Sequence, residues 1–435
     1  MGRPVHPAPH PRRRGTASAG WTRHPACRGR GGLADGLSLN WTLKVAWEFP
    51  VLTAYPLLLP HFAYRYRGGQ TRRRQASFFP AGHVVVRFAI VSVALPIAQV
   101  DIRPDSIVGP RDIRAVRTLR ISVTDRCNFR CVYCMPEDKL DWVPRETLLD
   151  FEEIRAIAAA AVRHGITAFK ITGGEPLVRH EVPRLIAMLR ALPGVTELSM
   201  TTNGALLDEY AVALKAAGLD RLTVSLDTLD RERFRGITRG ANIDDVWRGI
   251  RAAVAAGFKH PKINCVAMRG INDDEYADFA RLTIETDVTI RFIEYMPLGR
   301  TALGGEYEAR FISESQIRSH IESSFGPLEP ASPDSGHGPA KVWRVHQAAG
   351  RIGFISAMSK PFCETCNRLR LTAEGQLRSC LFDGGEVELR PLLRESASDG
   401  DLLASELHDA FIRCVAFKPE VHSYFGNRQM SQIGG

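Results

Sequence analysis

The chain has 435 residues, 44% of them hydrophobic and 24% charged, and carries a formal net charge of +9. This is the composition of a globular protein that buries a sizeable core, and it excludes a collagen-like, low-complexity or disulfide-scaffold chain. The positive charge is local: residues 1–100 hold fourteen Lys or Arg against only Asp35 and Glu48, which leaves the remainder mildly acidic and confines the charge argument for a nucleic-acid partner to the leader.

Residues 1–108 open rich in Arg, Pro, Gly and His and continue irregularly apolar, without a helical or strand period. They are expected to form a leader with no packed fold. Its apolar stretches, 43–62 and 84–100, are broken by Lys44, Glu48, Pro50, Pro56 and Pro60 and by Arg87 and Pro96, so neither supplies the ~20 apolar residues of a membrane span. Three origins are open: an organellar targeting segment, a tether to nucleic acid or membrane, or translation from an upstream start that the working protein does not use. The Arg-rich, acid-poor opening is compatible with the mitochondrial matrix, but its length, prolines and glycines match a single amphipathic presequence poorly. The third origin, with cytoplasmic residence, is therefore expected.

From about Arg111 the texture changes to short β-branched or apolar runs alternating with amphipathic stretches, the pattern of a mostly parallel sheet built from βα units. Strands are predicted at 119–123, 168–172, 197–201, 221–226, 263–267 and 289–294, and helices at 151–164, 182–191, 208–217, 243–256 and 275–285. Asp150 and Glu153 can form a capping box at the first helix. Six such units predict an α/β fold, an incomplete (βα)6 TIM-like barrel with chemistry at the loops after the strands. The Pro-, Ser- and Gly-rich segment 327–339 reads as a linker or loop. The expected domains are thus the leader at 1–108, the partial barrel at 109–326, and a C-terminal cluster-binding region at 327–435.

Six of the nine cysteines fall in two tight groups, which suits a reducing compartment better than a disulfide framework. Cys127, Cys131 and Cys134 form a C-x₃-C-x₂-C set in the loop after the first predicted strand. Three thiolates can hold three irons of a cubane cluster and leave the fourth open to a cofactor or substrate. Cys363, Cys366 and Cys380 form a second set of three. A structural zinc normally closes with four ligands, so two open clusters fit this count better than two zinc sites.

The first set, with Tyr133 before its last cysteine, resembles the signature of the radical S-adenosylmethionine superfamily. Gly173-Gly174-Glu175-Pro176 after the second strand is similar to that superfamily's second motif; alone, a Gly-Gly pair there is usually a turn, and glycine leaves room for close backbone approach. Narrower features resemble the GTP 3′,8-cyclase family of molybdenum cofactor biosynthesis: Ser122-Val-Thr-Asp-Arg-Cys127, Thr201-Thr-Asn-Gly204, Val224-Ser-Leu-Asp227, Arg291-Phe-Ile-Glu-Tyr-Met296, the second cysteine group with Asn367-Arg368-Leu-Arg370, and the terminal Gly434-Gly435.

The resemblance implies two [4Fe-4S] clusters, one on Cys127, Cys131 and Cys134 and one on Cys363, Cys366 and Cys380. It implies S-adenosylmethionine near Tyr133, Gly174, Ser225 and Met296, and GTP contacts at Arg120, Lys170, Thr201, Lys262, Arg368 and Arg370. Arg368, Arg370, Gly434 and Gly435 are the implied catalytic residues. Guanidinium forks also suit phosphate oxygens on their own chemistry. The implied reaction abstracts the ribose 3′ hydrogen of GTP with a 5′-deoxyadenosyl radical and joins C3′ to C8, giving 3′,8-cyclo-7,8-dihydroguanosine triphosphate after one-electron reduction and protonation, a lyase-type step. An electron donor, a downstream cyclic pyranopterin monophosphate synthase and a homodimer are the implied partners; nucleic acid and membrane are not expected.

One position departs from the family, whose Lys-x-Arg before the Gly-Gly run is here Ala168-Phe169-Lys170, one cation fewer and without a bidentate fork. Cys265, inside a predicted strand, reads as a buried apolar residue, and Cys27 and Cys414 as ordinary thiols. Two other functions stay open: a different radical enzyme with an auxiliary cluster, such as a peptide maturase, and a metal-stabilised nucleic-acid-binding protein.

Overall fold

The computed structural model describes residues 109–435 except 139–141, 334–337, 385–386, 396–398, 424 and 435; the leader and Gly435 lie outside the described residues. Twelve strands form one sheet: β1 (Thr118–Ser122), β2 (Ala168–Thr172), β3 (Glu197–Thr202), β4 (Arg221–Ser225), β5 (Lys262–Ala267), β6 (Thr289–Glu294), β7 (Glu329–Pro330), β8 (Lys341–Arg344), β9 (Arg351–Ile355), β10 (Arg368–Leu371), β11 (Gln376–Arg378) and β12 (Val387–Glu388). The helices are α1 (Phe151–Arg163), α2 (Val182–Arg190), α3 (Leu207–Ala216), α4 (Arg231–Thr238), α5 (Ile243–Ala255), α6 (Tyr276–Glu285), α7 (Tyr307–Arg310), α8 (Glu314–Phe325), α9 (Arg390–Glu395), α10 (Gly400–Ala416) and α11 (Met430–Ile433).

The strand order is β12-β11-β10-β1-β2-β3-β4-β5-β6-β9-β8-β7. The six expected parallel strands stand together in chain order, as the partial barrel requires. The C-terminal residues extend the sheet at both edges, β10 pairing parallel with β1 and β9 parallel with β6, so the parallel run is eight strands long. Within the stretch read as a linker, β7 pairs antiparallel with β8.

Alternation along each strand divides the chain's chemistry between two faces. Leu119, Ile121, Phe169, Ile171, Leu198, Met200, Ile263, Cys265, Ile290 and Phe292 are all but fully buried in one hydrophobic core. In α1, Ile154, Ile157, Ala158 and Ala161 supply its helical stripe. Each such Leu, Ile or Phe contributes about 1.5–3 kcal/mol by leaving water. The capping box at α1 forms, Asp150 accepting from the Glu153 N–H and Glu153 from the Asp150 N–H at 2.7 and 2.8 Å. The opposite face of the strands is polar, and there the site lies.

Candidate active site

The residues between the core positions line a single cavity: Arg120 from β1, Lys170 from β2, Ser199 and Thr201 from β3, Arg221 and Thr223 from β4, Lys262 and Asn264 from β5, Arg291 from β6, and Arg368 and Arg370 from β10. Sheet register sets three of the cations abreast, Arg120 between Lys170 and Arg370. Among the described residues, seven Lys or Arg thus share the lining with one carboxylate, Glu197, which pairs with Arg221.

Such crowding of buried cations is unfavourable without an anion. Burial, and then Arg291, Arg120 and Lys262, hold Lys170 well below the ordinary lysine range. Burial brings Arg291 down to about 10, and burial with Arg368 brings Arg370 to about 9. Lys170 Nζ and Arg291 Nη2 both donate to Thr223 Oγ1, at 3.2 and 3.1 Å. Thr201 Oγ1, Asn264 Oδ1 and Arg291 Nε are buried on this wall without a hydrogen-bond partner, so the cavity suits a large, polar, polyanionic ligand.

The second cysteine set lines the same cavity. The antiparallel β10–β11 pairing places Arg378 opposite Arg370, and two residues further on it brings Cys380 alongside Arg368 and Cys366. Burial pushes the Cys366 thiol up, but Arg368 and Lys418 outweigh it and hold it at about 7. Their nitrogens lie 3.7 and 3.5 Å from its sulfur. Arg370 Nη1 donates to the Gly434 carbonyl at 2.5 Å, which brings the chain's tail to the cavity.

The first cysteine loop follows β1 and is gripped by the Gly-Gly loop after β2. Gly174 N–H donates to the Thr124 carbonyl at 2.7 Å and Glu175 N–H to the Arg126 carbonyl at 2.8 Å. A Cβ on Gly174 would stand 2.4 Å from the carbonyl oxygens of Asp125 and Arg126, and one on Gly173 2.6 Å from that of Thr124. These glycines permit the close approach of the cysteine loop's own backbone. Glu175 is buried beneath, accepting from Leu177 N–H, Thr202 Oγ1 and Asn203 N–H, and burial raises its pKa to about 7.

Cys127, Cys131 and Cys134 are outside any disulfide and partly exposed, and burial pushes Cys127 and Cys134 up to about 12. Among the described residues no three His, Cys, Asp or Glu side chains converge on a single ion. Each set offers three thiols, the donor set of a four-iron cubane with one open iron. Tyr133 Oη donates to Asp227 Oδ2 at 2.8 Å, Asp227 being just beyond β4, and Ser225 ends β4. Met296 lines the cavity, whereas Tyr133, Gly174 and Ser225 do not. Cys265 and Cys414 are buried, and Cys27 lies outside the described residues.

Sequence reasoning named neither Arg221 nor Arg291 as contacts, although both share strand parity with recognised cavity positions. It also missed Glu175, Asp227 and Asn203, whose side chains organise the loops. Lys418 and His422 follow α10 with no local pattern to mark them.

Two family models match the chain, Radical SAM superfamily over residues 121–283 and Molybdenum Cofactor Synthesis C over residues 288–424. Among curated relatives, the GTP 3′,8-cyclase of Pelotomaculum thermopropionicum is 44% identical over 326 residues, and that of Heliobacterium modesticaldum 47% identical over 328. Each match covers 74% of this chain and 98% of the relative. Among solved structures, SuiB of Streptococcus suis bound to S-adenosylmethionine superposes with a TM-score of 0.48 at 14% identity, covering 72% of this chain and 76% of that one. Among the described residues no helix is long and apolar enough to cross a membrane.

Proposed function

The chain belongs to the GTP 3′,8-cyclase family of radical S-adenosylmethionine enzymes, which acts in molybdenum cofactor biosynthesis, and on that premise we propose how its own residues share the work. The cavity lined by seven cations and one carboxylate carries the proposal, because it suits a triphosphate.

Arg120, Lys170, Lys262, Arg368 and Arg370 hold the triphosphate, Arg291 joins them, and Thr201 offers its unpaired hydroxyl. Cys127, Cys131 and Cys134 hold one four-iron cluster, with S-adenosylmethionine between Tyr133, Gly174, Ser225 and Met296; Cys363, Cys366 and Cys380 hold the other. A cluster held there would supply the electron that splits S-adenosylmethionine and so would provide the hydrogen-abstracting radical. The walls hold the ribose in one pose and exclude water, so that the 3′ hydrogen is the one within reach. Arg370 fixes the tail, through which Gly434 and Gly435 act on the closing ring. The reaction is of lyase type, its product passing to a cyclic pyranopterin monophosphate synthase. The cytoplasm, a separate electron donor and a homodimer complete the reading.

The test is anaerobic reconstitution of the full chain with iron and sulfide, followed by GTP, S-adenosylmethionine and dithionite. Cyclised GTP should form together with 5′-deoxyadenosine. Cleavage of S-adenosylmethionine with GTP neither bound nor consumed would transfer the protein to another radical chemistry, such as peptide maturation. A colourless zinc protein with salt-sensitive nucleic-acid binding would overturn the enzyme reading altogether.

A further inference from the structure

Lys418 lies two residues beyond α10 and is 2% exposed. Its N–H donates to the Val415 carbonyl at 3.0 Å, and its own carbonyl accepts from Arg111 Nε at 2.8 Å, so its backbone is fixed at both ends. An ammonium has three donors. Here they meet the Arg368 carbonyl at 2.8 Å, the Ser379 carbonyl at 3.2 Å and Cys366 Sγ at 3.5 Å. No carboxylate among the described residues forms an ion pair with it.

A buried ammonium without a counter-charge is costly, and the group within its reach that can supply one as a cluster ligand is the Cys366 sulfur. Its two carbonyl contacts are equally placed, since Arg368 follows Cys366 by two residues and Ser379 directly precedes Cys380. One ammonium therefore ties together the two chain segments that carry the second cysteine set. It is absent from the lining of the cavity, so its influence passes through the sulfur rather than through the substrate.

We propose that Lys418 is a positioning residue for the second cluster, holding Cys366 and Cys380 in one arrangement and making that cluster easier to reduce. The inference rests on reading Cys363, Cys366 and Cys380 as cluster ligands. Net charge and hydrogen bonds to the sulfurs are what set the potential of such a cluster, and a fixed cation favours the form carrying one more electron.

The full chain, reconstituted anaerobically as wild type, Lys418→Met and Lys418→Arg, is assayed for iron and titrated electrochemically with electron paramagnetic resonance detection. The first cluster serves as the internal reference. In Lys418→Met the reduced fraction of the second cluster at a fixed potential should fall about tenfold, a drop of ~59 mV for one electron, with the first cluster unmoved; Lys418→Arg should stay near wild type. Loss of the second cluster from the Met variant alone also supports the clamp. An unshifted second cluster in Lys418→Met, an equal shift in both variants, or cluster loss from both overturns it. If the wild-type C-terminal cysteines take up no iron, the ligand reading itself fails, and that is visible before any variant is made.

Discussion

Lys170 stands abreast of Arg120 in the sheet and bonds to Thr223 beside Arg291, so it is one of several cations and lacks the fork an arginine would bring. Lys170→Ala should weaken GTP binding by about 1.5–3 kcal/mol, the range for hydrogen bonds to charged groups, as read by calorimetry. Ala168 has the same strand parity, so Ala168→Lys should tighten binding; unchanged affinity in both variants would place the triphosphate elsewhere. Because burial and neighbouring cations depress Lys170, it loses its proton at lower pH than an ordinary lysine. GTP affinity should therefore decline through the alkaline range, and Lys170→Arg should flatten that decline. Gly174→Ala would drive a methyl into the Asp125 and Arg126 carbonyls, at about 1–3 kcal/mol of overpacking. Iron in the first set should fall while the second set keeps its own. Arg120 and Lys170 were legible in sequence through the family resemblance; Arg221 and Arg291 were not, because only the register between strands sets them on the same face. Lys418 was not, because its partners lie 39 to 52 positions away.

At the scale of elements, the βα units were readable because their strands are short apolar runs and their helices carry an apolar stripe, the first with a capping box besides. Helix α4 was not, since only Phe234, Ile237 and Thr238 are buried in it and its sequence shows charge rather than an apolar stripe. β10 reads Arg-Leu-Arg-Leu, a strict alternation, yet four residues between cysteines carry too little pattern to announce a strand. Nothing local could show that it pairs with β1, some 250 residues earlier. The tail is a different case, its glycines suggesting passage through a narrow space. Gly434 has φ +76°, and a Cβ there would meet Thr172 Cγ2 at 2.7 Å and Ser122 Cβ at 3.1 Å. Removing Gly434 and Gly435 should abolish cyclisation while leaving iron content and S-adenosylmethionine cleavage largely intact; full GTP turnover by the shortened chain would show the tail to be idle.

For the whole molecule, two sets of three cysteines predict about eight irons per chain. Replacing Cys363, Cys366 and Cys380 with Ser should halve that number, and an unchanged count would remove the second cluster. Relatives matched over 98% of their length need only 74% of this chain, so a protein beginning near Val100 should fold, take up both clusters and turn over GTP; insolubility would mean that the leader belongs to the fold. The pairing of β10 with β1 has a consequence of another kind. The first cysteines leave the far end of β1, whereas Cys366 enters β10 beside its near end, Arg368 being in register with Thr118. The two sets thus depart from opposite ends of a strand of five residues, whose four steps span roughly 13 Å at 3.3 Å each. That span is a gauge written in backbone ladder bonds, which no side-chain substitution can stretch; only a slipped register would change it, and it would do so in whole-residue steps while turning the cations of β10 away from the cavity.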